Sequence, residues 1–428
     1  MSGRRTRRTA VTGIGVVAPN GLHADTYWKN VKDGTSVLDR VTREGCEHLP
    51  LRVAGEVRGF DATALIEETF LVQTDKFTHF ALAAADAALQ DAGLSAAAWT
   101  DAPYSVGVVT AAGSGGGEFG QRELQKLWGK GSRFVGPYQS IAWFYAASTG
   151  QISIRKGFKG PCSVVASDEA GGLDAVAHAA RAVHRGTDVI VVGAAEAPLA
   201  PYSAVCQLGY PELSTEADPT RAYRPFTSAA CGFVPAEGGA VLVVEDLDRA
   251  RRRGTDVRAT VAGHSATFTG ASRWDRSREG LAQAVRGALD EAGCAPEEID
   301  VVFADALGVP EADRAEALAL ADALGAHGTR VPVTAPKAGI GRSYCGAPLL
   351  DVVAAVQAME HGLIPPTPGV FDVCHDIDLV TSSARPADLR TALVLSRGLM
   401  GSNAALVLRR GDTTAGWTTP DRRQGERV

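Results

Sequence analysis

The sequence predicts a layered α/β fold built from two similar halves, and three observations carry that prediction. Strand-like apolar runs alternate with helical periodicity along the chain. One supersecondary plan occurs twice, on either side of the charged run 249–254. The composition, 45% hydrophobic and 21% charged over 428 residues, is that of a globular chain long enough for two core-bearing units.

Taken in order, residues 9–19 read as a strand that follows four arginines among the first eight residues. No separate apolar region or small-residue cleavage site precedes it, so no secretory signal is expected. Residues 75–91 read as a helix with Phe77, Phe80, Ala81, Ala84 and Ala88 at helical spacing, stopped by Gly93. Residues 105–110, 163–166, 189–192 and 241–244 read as buried strands. The run ALQDAG at 88–93, ahead of the strand at 105–110, is echoed by ALDEAG at 288–293, ahead of 299–305. A strand, a turn and a helix then recur. The strand at 163–166 leads to Leu173-Asp174, and that at 331–334 leads to Leu350-Asp351. The halves are placed at 9–250 and 255–410, and the polar, aperiodic residues 411–428 read as a disordered tail.

Several function classes are excluded. Forty-three basic against 49 acidic residues give a net charge of −6, which argues against a nucleic-acid binder. No run approaches the roughly 18 apolar residues of a membrane span, so no membrane partner and a cytoplasmic location are expected. Seven cysteines without CxxC spacing suggest free thiols in a reducing compartment. Asp372, His375, Asp376 and Asp378 lie in a predicted loop and read as solvated, so no metal is expected. Thr12-Gly13-Ile14-Gly15 has Ala18 in place of a third glycine and is followed by Pro19-Asn20-Gly21, so it reads as a tight glycine turn and not a dinucleotide site. The arginines at 249–253 read as a solvated helix end.

Residues 164–174 (VVASDEAGGLD) form a strand, a sharp turn and a helix start, where α/β enzymes expose a nucleophile. The apex holds Asp168-Glu169, and the plain reading of a carboxylate there is a helix cap. Together with Thr12-Gly13-Ile14-Gly15, Arg224-Pro225-Phe226, Gly232-Phe233-Val234-Pro235-Ala236-Glu237-Gly238-Gly239 and Gly401-Ser402-Asn403-Ala404, this elbow resembles the β-ketoacyl synthase family. The resemblance runs over about residues 9–410 and implies a thiolase fold, two similar βαβαβαββ halves in an αβαβα arrangement. The stretches 119–128, 142–145, 150–155, 302–305 and 332–337 more narrowly resemble the chain-length factor, or ketosynthase beta subunit, of type II polyketide synthases.

Claisen condensation needs a thiolate to hold the acyl chain and imidazoles to support malonyl decarboxylation. In the family pattern the catalytic cysteine falls on Glu169, the first histidine on Asp305 and the second on Arg342. Lys337 and Glu316 are kept. A carboxylate forms no persistent thioester, and neither aspartate nor arginine replaces a neutral imidazole. No independent condensing activity is therefore expected. Chain-length factors commonly carry glutamine at the elbow. An ionised Glu169 beside a malonyl carboxylate would be unfavourable, so a priming role is doubtful unless burial raises its pKa.

The resemblance also implies a Cys-bearing ketosynthase as heterodimeric partner, with a polyketide tunnel at the interface. An acyl carrier protein would deliver malonyl units on phosphopantetheine, with no cofactor bound directly. The chain-length gate falls on Gly117, Gly120 and Leu124, spaced to share one helical face. Two glycines there imply an open gate and a long product, a decaketide or beyond. Tyr202 matches a tunnel-lining position, and Trp128, Trp143, Phe144 and Tyr145 are candidate interface aromatics. Two rival expectations are a malonyl-carrier decarboxylase or thioester hydrolase using Glu169, and a structural homodimer that binds acyl carriers.

Overall fold

The structure, a computed structural model, describes residues 8–270 and 274–411. The expected tail, apart from Gly411, lies outside the described residues. The strands of the large sheet are β1 (Thr9–Val17), β2 (Val106–Ala111), β3 (Cys162–Val165), β4 (Val189–Glu196), β5 (Gly238–Asp246), β6 (Ala259–Phe268), β7 (Val301–Phe303), β8 (Pro332–Thr334), β9 (Asp378–Leu379), β10 (Thr391–Arg397) and β11 (Ser402–Arg410). The principal helices are α1 (Lys76–Asp91), α2 (Gly117–Lys130), α3 (Ala147–Lys156), α4 (Gly171–His184), α5 (Pro201–Gln207), α6 (Trp274–Ala292), α7 (Pro310–Leu324) and α8 (Gly346–His361).

The strands join in the order β9-β8-β7-β10-β11-β6-β1-β5-β4-β2-β3. Outward from the centre, β6-β11-β10-β7-β8 repeats β1-β5-β4-β2-β3: two antiparallel pairings followed by two parallel ones on each side. The halves meet where Thr9 to Val11 pair with Val261 to Ala259. Helices α4 and α8 share one core with strands of both halves of the sheet, while α1 and α6 cover the outer faces. This is the αβαβα layering that the resemblance implies. Helix α8 is buried on every side from Gly346 to Met359, as a helix packed in the core between the two halves must be.

The glycines near the N-terminus have a different role from the expected turn. Thr12 to Gly15 lie inside β1. A side chain on Gly13 or Gly15 would run into the carbonyls of Ala88 or Ala84, because α1 lies directly on the strand. The repeat preserves this contact: a side chain on Gly263 of β6 would meet the Ala288 carbonyl of α6. The echoed ALQDAG and ALDEAG runs are thus the helix ends that receive a glycine-bearing strand. The arginines at 249–253 are also more than a solvated end. Arg249 and Arg253 reach back to the fully buried Glu245 of β5, with Arg253 Nη2 2.7 Å from its Oε1.

Candidate functional site

Glu169 stands between β3 and α4, Asp305 follows β7, and Arg342 lies between β8 and α8. The topology brings these loops together at the carboxyl ends of parallel strands, where α/β folds place their sites. Four non-glycine residues there have positive φ: Asp168 (58°), Phe226 (62°), Ala306 (51°) and Tyr344 (45°). Such backbone persists only where surrounding bonds over-determine it. Asp313 Oδ2 accepts from the Phe226 amide at 2.8 Å, Glu316 Oε2 from the Ala306 amide at 2.9 Å, and Asp168 Oδ2 from the Met400 amide at 2.6 Å. The strained frame of a reactive site is present, with different side chains on it.

Asp305 and Arg342 belong to a closed, buried charge network. Arg342 Nη1 lies 2.9 Å from Asp305 Oδ1, and Arg397 Nε lies 3.2 Å from Oδ2. The other arm of Arg397 reaches Glu316 Oε2 at 2.8 Å, and its Nη1 donates to the Ala312 carbonyl. Glu316 Oε1 accepts from the Asp305 amide at 2.7 Å. Burial pushes the Asp305 carboxyl up, but Arg342, Arg397 and Lys337 outweigh it and hold the pKa down to about 2. Lys337 pairs with Asp351 of α8 at 2.6 Å, both side chains being buried. Every one of these groups is engaged within the chain.

Glu169 is buried, and its Oε2 accepts from the Leu399 amide at 2.9 Å. It does not cap α4, whose N-terminus has no side-chain cap. Together Asp168 and Glu169 fill the successive amides of Met400 and Leu399, positions that could otherwise bind an anion. Burial, followed by the adjacent Asp168, pushes the Glu169 pKa well above the usual carboxylate range, against the pull of Arg342. The burial that the sequence left conditional is met, and it favours the neutral acid. Among the described residues, a cavity of about 10 Å³ lined by Trp274, Ser277, Gly398 and Leu399 has room for about one water, and a larger open one of about 510 Å³ lies beside Val165, Ser167 and Asp174 of the elbow segment.

Arg397 escaped the sequence reading, and Asp351 entered it only as part of the repeat and not as the partner of Lys337. The available signal for Arg397 was a lone charge ending the apolar run of β10, all seven positions of which are buried. No group of three or more His, Cys, Asp or Glu is placed to hold a metal among the described residues.

The proposed gate positions lie on α2. Gly117 and Gly120 are buried, and Leu124 is partly exposed. A side chain on Gly117 would collide with the Ser203 hydroxyl of α5, and a Cβ on Gly120 would lie 3.0 Å from Trp143 Cδ1. The glycine face is therefore covered by neighbours instead of standing empty within this chain. Tyr202, half exposed, donates its amide to Gln121 Oε1 at 2.8 Å, which ties α5 to α2. Trp128 and Trp143 are 83% and 55% exposed, and Phe144 and Tyr145 are also exposed.

The loop entering α2 hangs on Glu196, at the end of β4. Its carboxyl accepts from the Gly113 amide and from the Ser114 amide and hydroxyl. Burial raises its pKa to about 7, against those hydrogen bonds. An unfolded glutamate titrates near 4.3, so between about pH 4.5 and 7 the folded chain holds a proton that the unfolded chain has lost. Stability from this group therefore falls as pH rises. The stability of wild type relative to Glu196→Gln should shrink by about 1–3 kcal/mol between pH 5 and 8. Thermal unfolding of both proteins at the two pH values measures it, and a constant difference would contradict the assignment.

An α/β elbow with a carboxyl group where the family pattern has a thiol, and an ion-paired aspartate and arginine where it has imidazoles, stands here on a condensing-enzyme fold. Residues 6–250 match the family "Beta-ketoacyl synthase, N-terminal domain", and residues 258–370 match "Beta-ketoacyl synthase, C-terminal domain". The chain is 85% identical over 411 residues to a Streptomyces cyaneus protein with the provisional name polyketide beta-ketoacyl synthase 2, covering 96% of this chain and 98% of that one. It is 49% identical over 404 residues to the tetracenomycin polyketide synthase ketoacyl synthase beta subunit of Streptomyces glaucescens, covering 94% and 98%. The solved ishigamide ketosynthase/chain length factor aligns with a TM-score of 0.86 at 27% identity, over 95% of this chain and 99% of that one. The chain belongs to the β-ketoacyl synthase family, in the ketosynthase beta, or chain-length factor, group of type II polyketide synthases.

Proposed function

We propose that this chain is the non-condensing partner of a Cys-bearing ketosynthase. In that complex it sets the length of a poly-β-keto chain built from malonyl-acyl carrier protein, at a decaketide or longer. The observation that carries the reading is the engagement of Glu169, Asp305 and Arg342: at the three positions that the family pattern assigns to catalysis, each is hydrogen-bonded or ion-paired within the chain. The thioester chemistry then belongs to the partner, and the carrier protein supplies the phosphopantetheine arm.

The surface supports a large partner. β3 ends the sheet, with Cys162 exposed and Ser163 to Val165 half buried, whereas β2 and β4 are buried throughout. An uncovered, parallel-paired edge strand of this kind is a template for another strand. Ile154, on the α3 helix packed against β3, is exposed, and the aromatics at 128 and 143–145 extend the apolar surface. Among the described residues no helix is long and apolar enough to cross a membrane.

Intact-protein mass spectrometry of the co-purified pair during malonyl-carrier consumption tests this. Acyl mass is expected on the partner only, and the longest member of the ladder reports the product length. Acyl mass on this chain, or a stable homodimer without affinity for a Cys-bearing ketosynthase, would overturn the reading.

A further inference from the structure

We infer that Trp143, contributed from outside α2, is the bulky wall element that determines how far the growing chain extends; the inference rests on the chain-length reading above. Gly117 and Gly120 lack side chains on the face that they share with Leu124, and the structure supplies mass to that face from elsewhere. Segment 142–145 lies on the glycine-rich turn at backbone distance. The Gly116 amide donates to the Trp143 carbonyl at 3.1 Å, and a Cβ on Gly115 would lie 2.8 Å from the same oxygen. A Cβ on Gly116 would run into the Ala142 carbonyl. Gly115 also has φ +62°, which a side chain disfavours.

The glycines therefore seat Trp143. With its backbone clamped, the indole lies over Gly120, where even a methyl group would meet Cδ1 at 3.0 Å. The ring nevertheless remains 55% exposed, so one side packs on α2 and the other is free to bound a space outside this chain. An indole is large, rigid and apolar on its faces, properties suited to stopping a flexible chain at a fixed distance. At the neighbouring notch, Gly117, Ser203 presents only its hydroxyl, whereas at Gly120 it is the Trp143 indole that meets the helix.

The test is the reconstituted complex of this chain, a Cys-bearing ketosynthase and malonyl-carrier, with product mass and the acyl ladder on the partner as readouts. Trp143→Ala is expected to lengthen the main product by at least one two-carbon unit, while Trp143→Phe keeps the wild-type length. Wild-type length from an assembled Trp143→Ala complex overturns the inference. So does loss of assembly in Trp143→Ala alone, which would make the indole a partner anchor. Gly117→Phe serves as the control for the underlying reading. If it changes the length and Trp143→Ala does not, only the role of Trp143 falls; if neither changes it, the chain-length reading falls as well.

Discussion

Replacing Arg397 by methionine is expected to destabilise the folded chain by about 3–5 kcal/mol, the usual cost of removing one partner from a buried ion pair. Its side chain is 1% exposed and touches Asp305, Glu316 and the Ala312 carbonyl, with Cζ 5.4 Å from the Trp274 ring centroid. Methionine fills part of the volume but leaves Asp305 with Arg342 as its direct ion-pair partner and Glu316 with only amide donors. The double variant Arg397→Met/Glu316→Gln should recover at least about 1 kcal/mol of that loss, because the stranded charge is gone. Denaturant unfolding of the single and double variants measures both quantities. A single-variant loss below about 1 kcal/mol would show that the network is not what holds the former catalytic loops together.

Gly117→Phe is expected to shorten the polyketide by one or more two-carbon units, with at least a tenfold shift toward shorter products, equivalent to about 1.4 kcal/mol of discrimination. The added ring leaves α2 on the face shared with Gly120 and Leu124, and the Ser203 hydroxyl is the group that must give way. A hydroxyl can rotate, so the cost in stability should stay in the overpacking range of about 1–3 kcal/mol. Gly120→Phe should shorten the product too, at a higher stability cost, since the whole Trp143 indole must move. Product mass from assembled complexes decides the matter; an unchanged product from both variants would remove α2 from the determination of length.

Much of the fold was legible in the sequence because it is written twice. The paired ALQDAG and ALDEAG runs and the recurring Leu-Asp pairs marked two equivalent halves, and the strand order repeats across the pseudo-symmetry. Boundaries were less legible: the strand read at 189–192 runs on to Glu196, whose polar side chain is buried because Gly113 and Ser114 satisfy it. The role of the glycines in β1 was misread, because their reason is the carbonyls of α1, more than 60 residues away in the chain.

By itself the sequence determined which side chains are missing: at the three positions that the family resemblance assigns to catalysis, this chain carries Glu169, Asp305 and Arg342 in place of a cysteine and two histidines. What those residues do instead was decided only by the tertiary structure. Glu169 meets the Leu399 amide across 230 residues, and Asp305 meets Arg397 across 92. Charge state and engagement depend on such neighbours and on exclusion of water, and neither has a local signature. The same separation explains the gate, where two glycines imply empty space in one dimension and a seat for Trp143 in three.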